Sequence, residues 1–305
     1  MTHPFISLQS LLLEIEQYRR EESDRALFDA YAFADYRGAR DDGAGVVLFV
    51  ALGSGPARQV TDVRNRRTLE PTWHQLVESL SKRGLRLLFG QDHQYGIPRA
   101  FAVELGLDIS NWRSGLRMLF SDENEWGKAA TAGDAGRFAH TLNEALVVAG
   151  RPSYFWSATK ATTYKIPANP PRTPIDVSVY RRTERGGGFP LSRVGDNGAV
   201  GGQTIVGLPR ILSLLKNHPK VRVWPFDGIA IAEYARDHVM IEPYPTLVRD
   251  AQLVQSDEND AFASTFWAQK NDRGGILANA LDLSALSVAE QQQVMFEGWI
   301  AGATP

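Results

Sequence analysis

The chain has 305 residues, 43% of them hydrophobic and 22% charged, with a formal charge of −2 and no cysteine. This composition excludes a disordered or fibrous chain and supplies enough apolar residues for a substantial core. The missing cysteines exclude disulfides, thiolate-bound zinc, iron–sulfur clusters and thiol nucleophiles, and the near-zero charge leaves any polyanion partner to a local patch.

The amino terminus shows no basic region ahead of an apolar stretch, and Leu11-Leu12-Leu13 is followed by Glu14 and Glu16. The longest apolar run, Val46 to Leu52, is far short of the ~20 residues of a membrane helix. A soluble cytoplasmic protein without a membrane partner is expected.

Residues 7–29 predict an amphipathic helix, with Leu8, Leu11, Leu12, Ile15 and Tyr18 on one stripe. Tyr31 to Tyr36 alternates large and small side chains as a strand does, and Val46 to Leu52 reads as a second, deeply buried strand. The loop between them contains Asp41-Asp42-Gly43 and suits an antiparallel hairpin. Gln59 to Asn65 suits a third strand. Pro71 to Arg83 predicts a helix, with Trp73, Leu76, Val77 and Leu80 at helical spacing and Gly84 as its stop. Leu85 to Asp92 is a strand that ends in a carboxylate. Helices are predicted over 111–120 and 134–149, after which 151–202 is rich in proline and glycine. Regular structure returns with a helix over 203–215, strands over 221–226 and 238–244, and helices over 257–269 and 288–299. The order implies one α/β domain over 1–305, a mixed sheet flanked by helices. Its core is expected over about 31–95 and 201–305, with 1–30 as an N-terminal helix and 96–200 as a long basic insertion.

Carboxylates recur at the predicted strand ends. Asp35 ends the first strand, Asp92 the strand after the first core helix, and Glu242 lies near the end of a late strand. Asp257 and Asp260 share one face at the start of a helix. An acid beside the core is costly to bury unless paired or bound to a metal, and several meeting at one sheet edge repel each other. A divalent ion offsets that repulsion, and hard oxygen ligands favour Mg²⁺ or Mn²⁺. The bland account is that such acids cap helices and hold turns.

Several short motifs, in order along the chain, resemble the family of predicted nucleases of RNase-H-like fold, long labelled a domain of unknown function and distantly similar to RuvC-type Holliday-junction resolvases. They are Phe33-Ala34-Asp35-Tyr36 with Gly38-Ala39, Gly90-Gln91-Asp92 with Gly96-Ile97-Pro98, and Val200-Gly201-Gly202-Gln203-Thr204. Ile241-Glu242-Pro243-Tyr244-Pro245, Asp257 with Asp260-Ala261, and Glu297-Gly298-Trp299-Ile300 complete the set. The resemblance implies a retroviral-integrase-type sheet and two-metal hydrolysis. Asp35, Asp92, Asp257 and Asp260 would hold the metal and Glu242 would be a further late acid. Arg37, His93 and Gln94 depart from the pattern. Arg37 stands where a small residue is usual, and His93 and Gln94 where apolar residues and proline are usual.

Residues 151–193 hold eight basic and two acidic side chains, interleaved with Tyr154, Phe155, Trp156, Tyr164 and Tyr180. Cations for phosphates with aromatic faces for bases suit flexible nucleic acid. Lys160, Lys165, Arg172, Arg181, Arg182, Arg185 and Arg193 are therefore the candidate contacts. The alternative is a solvated loop whose aromatics pack on the core. Gly195 to Gly207 precedes a helix but matches no phosphate-loop spacing, so tight packing is expected there. His93, next to Asp92, is a candidate general base or a capping histidine.

The leading expectation is therefore metal-dependent phosphodiester hydrolysis of DNA or RNA. A non-catalytic nucleic-acid-binding module, with Arg37 compensating the acids, is the alternative. A nucleotide-dependent phosphotransferase using the glycine-rich segment is the third reading.

Overall fold

A computed structural model of the chain describes residues 3–20, 26–37, 45–158, 164–173, 176–184, 188–195, 199–234, 236–248 and 256–303. Strands β2 (Ala30–Arg37) and β3 (Gly45–Leu52) form an antiparallel pair in which Asp35 faces Val47. They are almost wholly buried, as runs of Val, Leu, Phe and Ala require. The remaining strands are β1 (Phe5–Ile6), β4 (Arg58–Val60), β5 (Leu87–Gln91), β6 (Val221–Val223) and β7 (His238–Met240). They complete a mixed seven-stranded sheet of order β1-β4-β3-β2-β5-β7-β6, with β5, β7 and β6 parallel to β2. The expected α/β architecture is present.

Side-chain alternation along β2 sets up two cores. Ala30, Ala32, Ala34 and Tyr36 join the apolar cluster that contains α2 (Arg66–Lys82) and α7 (Gly201–Asn217). Tyr31 and Phe33 join the opposite cluster, which contains Ala261 and Ala268 of α9 (Asp257–Arg273). Small residues face inward on α9, Ala261, Ser264, Thr265 and Ala268 being buried, so this helix lies close on β2 and β3. The first cluster also takes in residues of α3 (Arg99–Glu104), α4 (Trp112–Leu119), α5 (Glu125–Thr131) and α6 (Ala135–Val148). The 96–200 segment thus shares the main core. The chain ends with α8 (Pro245–Val248), α10 (Leu277–Ala280) and α11 (Val288–Glu297). Among the described residues no helix is long and apolar enough to cross a membrane.

Boundaries differ from expectation for local reasons. The first helix, α1, spans only Leu8–Gln17, since Tyr18 leaves the helical region at φ −59°, ψ 137°. Helix α2 begins five residues before Pro71, where Asn65 and Thr68 form a capping box in which each satisfies the other's backbone N–H. The strand expected over 59–65 is β4, three residues long rather than seven. The late strand stops at Met240, and Glu242 makes only an isolated bridge with Ile300.

Candidate active site

Asp35 and Asp92 are neighbours because the sheet makes them so. Strand β5 pairs with β2 in parallel through Ala34 and Gln91, and the Asp92 N–H continues the ladder to the Ala34 carbonyl at 3.0 Å. Adjacent residues in register point to the same face. By the alternation that turns Tyr31, Phe33 and Leu88 toward α9, both carboxyls lie on the α9 side. Gly90, two residues earlier, permits the approach of β7, because a Cβ there would stand 2.2 Å from the Ile241 carbonyl.

Both carboxyls resist ionisation. Asp35 is 5% exposed, and burial, then the charge of Asp92, push it well above the usual carboxylate range. The Tyr36 N–H, bonded to Asp35 Oδ1 at 2.6 Å, pulls it down, while Asp257 and Asp260 push it further up. Asp92 is raised to about 7, first by burial, then by Glu242 and Asp260, and a hydrogen bond with Asp35 opposes the shift. Asp257 and Asp260 thus lie near enough to act electrostatically on the Asp35–Asp92 pair. Asp257 and Asp260 arrive on the first turn of α9, whose N-cap is Ser256, so they also lie favourably in the helix dipole.

Glu242 is a different case. It is buried, and its two oxygens accept from Arg181 at 2.5 and 2.7 Å and from the Tyr95 N–H at 3.0 Å. Its charge still acts on Asp92, but its lone pairs are committed to Arg181. Glu242, the further late acid that the resemblance implies, is held by Arg181 and anchors the insertion to the sheet edge.

The aspartates are hard oxygen donors of the kind a divalent cation takes, and a cation there would offset the charge repulsion among them. Among the described residues, however, no three His, Asp or Glu side chains are grouped so as to hold a metal ion as they stand. The Arg37 side chain lies outside the described residues.

Three of the eight basic side chains of 151–193 are paired with carboxylates. Arg181 is fully buried between Glu184 and Glu242. Burial pulls its pKa down, but the two carboxylates outweigh this and raise it. Glu184, pushed up to about 7 by burial against the pull of Arg181, also accepts from the Gln94 amide. Arg172 grips Glu104 with both terminal nitrogens, at 2.6 and 2.8 Å, and Arg182 bonds Glu290 at 2.6 Å. The phosphate-contact expectation is corrected outright for Arg181, and Arg172 and Arg182 are committed to carboxylates. Arg193 lies over the Trp156 and Phe189 rings, Lys165 is exposed, and Lys160 and Arg185 lie outside the described residues. Tyr154 and Phe155 pack in the core, Tyr154 stacking on Phe101 at 3.5 Å.

His93 is buried and pulled down to about 3 by burial, with Nδ1 on the Gln94 carbonyl at 2.8 Å. Its ring lies against Gly207 of α7, where a Cβ would come within 2.3 Å of Nε2. A general-base role is thus corrected to a packing role. The described part of the glycine-rich segment is filled by protein: Gly201 packs on the Leu191 and Arg193 carbonyls, which leaves no phosphate cradle there. The signal that sequence reasoning missed is the Arg181–Glu184 pair, three residues apart inside what reads as a solvated basic loop.

Comparison with known proteins found no matching family model, no matching curated protein and no matching solved structure.

Proposed function

We propose that the chain is a metal-dependent phosphodiesterase of nucleic acid on an RNase-H-like sheet. One observation carries the reading: the parallel register of β2 and β5 sets Asp35 beside Asp92 on the face covered by α9, whose first turn carries Asp257 and Asp260 within range of both. An acid on a central strand, one at the end of its parallel neighbour and two on a late helix is the distribution that the resemblance implies. This shared logic of placement supports an RNase-H-like assignment over an unrelated α/β sheet.

When bound, Mg²⁺ or Mn²⁺ supplies Lewis-acid polarisation of a phosphate and a more acidic water. The chain's own residues prepare that chemistry. Asp35 and Asp92, both drawn above the ordinary carboxylate range, would hold the cation and would lose any bound proton on doing so. The Tyr36 N–H fixes one Asp35 oxygen. Arg181 holds both Glu242 oxygens, although the Glu242 charge still raises Asp92.

The test is cleavage of single- and double-stranded DNA and RNA oligonucleotides with Mg²⁺, with Mn²⁺ and with chelator. Cleavage should require the metal and fall at least about a hundredfold in Asp35→Asn. Cleavage that persists in that variant or under chelation overturns the reading. The absence of a ready three-ligand group among the described residues favours a second reading, a non-catalytic module. It predicts salt-sensitive nucleic-acid binding that ignores chelator.

A further inference from the structure

Away from the aspartates, a groove of about 580 Å³ opens between the starts of α3 and α4, the turn after β6 and the outer side of α11. That volume lies in the range of small-molecule sites and well above what a bare inorganic anion needs. Its floor is rigid. Trp112 and Phe226 stack there with centroids 4.2 Å apart, and the indole N–H donates to the Tyr95 carbonyl at 2.7 Å.

The rim is cationic. Arg113 is held in place by Asp227, 2.5 Å away, and Asp227 is itself fixed by the Val223 N–H at 2.8 Å. Arg99 is exposed, and among the described residues its guanidinium makes no hydrogen bond or ion pair. Its backbone is nevertheless anchored, the N–H donating to Glu297 Oε1 at 2.8 Å. Two guanidiniums and one carboxylate give the groove a positive balance in a chain of net charge −2. Guanidinium forks match phosphate oxygens in pairs. Apolar surface lies beside them, from Ile109 and from Met295, which is 38% exposed.

We propose that this groove binds a phosphorylated small molecule of about mononucleotide size, its phosphate on Arg99 and Arg113 and its organic body along Ile109 and Met295. None of the four aspartates lines the groove, so the site is independent of the proposed hydrolysis.

The experiment is thermal denaturation and calorimetry of the full chain with adenosine monophosphate, ribose 5-phosphate, inorganic phosphate and adenosine at matched ionic strength. At least one organic phosphate should stabilise the chain saturably, and more than inorganic phosphate or adenosine do. Arg99→Ala, an exposed change, should weaken that binding at least tenfold, and Met295→Asp, which puts a like charge beside the phosphate, should weaken it too. Arg151→Ala, an exposed cation that does not line the groove, should leave it unchanged. The proposal is overturned by no saturable response to either organic phosphate, by unchanged binding in Arg99→Ala, or by equal loss in Arg151→Ala.

Discussion

At Asp92, burial and charge both oppose ionisation, so the folded chain carries a strained carboxylate whenever that group is deprotonated. Asn mimics the protonated form without the charge. Asp92→Asn should therefore stabilise the fold by about 1–2 kcal/mol at pH 8, less at pH 5, and abolish cleavage; melting curves of both chains at the two pH values check it. Equal stabilisation at both would mean that Asp92 does not titrate between them. Gly207 is the opposite kind of residue, small because His93 fills its space. Alanine usually gains about 1 kcal/mol over glycine in a helix. At this position Gly207→Ala should lose about 1–3 kcal/mol, because the ring has to move within a packed core. Urea titration reads the difference.

Among the elements, the insertion and the sheet are tied by one side chain. Arg181→Met leaves Glu184 and Glu242 buried without their counter-ion and should destabilise the chain by about 3–5 kcal/mol. Arg182→Ala, whose ion pair is partly exposed, should cost under about 1 kcal/mol. A similar small loss for both, seen by chemical denaturation, would mean that Arg181 does not tie the insertion to the sheet.

This tie also shows where sequence is legible and where it is not. The hairpin of β2 and β3, the helices α4, α6, α7 and α9 and the four aspartates follow from periodicity and from acids placed beside apolar runs. Those signals lie within a few residues of each other along the chain. The pairing of Arg181 with Glu242, of Arg172 with Glu104 and of Arg182 with Glu290 joins residues about 60 to 110 positions apart. A local count of charges sees only the positive half of each pair. The start of helix α2 is hidden for a different reason: Pro71 resembles a first-turn proline, whereas the Asn65–Thr68 box starts the helix earlier.

For the molecule as a whole, these groups set a pH profile. His93 and His238 are drawn down to about 3 and about 4 by burial. Their contribution is complete above the unfolded value near 6.5 and lost as pH falls toward those folded values. Asp92 and Glu184, raised to about 7, act in the other sense. Their contribution is complete below the ordinary carboxylate range and lost as pH rises through 7. Between pH 6 and 8 the histidines regain stability as their unfolded imidazoles deprotonate, and the loss from the two acids exceeds that gain. The melting temperature should therefore drop by about 1–2 °C over that interval. If the aspartates bind a divalent cation, millimolar Mg²⁺ or Mn²⁺ should recover part of the drop at pH 8 and do little at pH 5.5. A flat profile, or equal rescue at both pH values, counts against the assignment.

The docking of α9 onto β2 and β3 has a consequence for the order of synthesis. Asp35 and Asp92 precede Asp257 and Asp260, and the inner face that covers them, by at least 165 residues. A nascent chain still short of that helix has nothing from α9 to cover its first two acids. The cluster is thus assembled only once α9 has been made, and a chain that stops short of it lacks the constellation that the proposed hydrolysis would need.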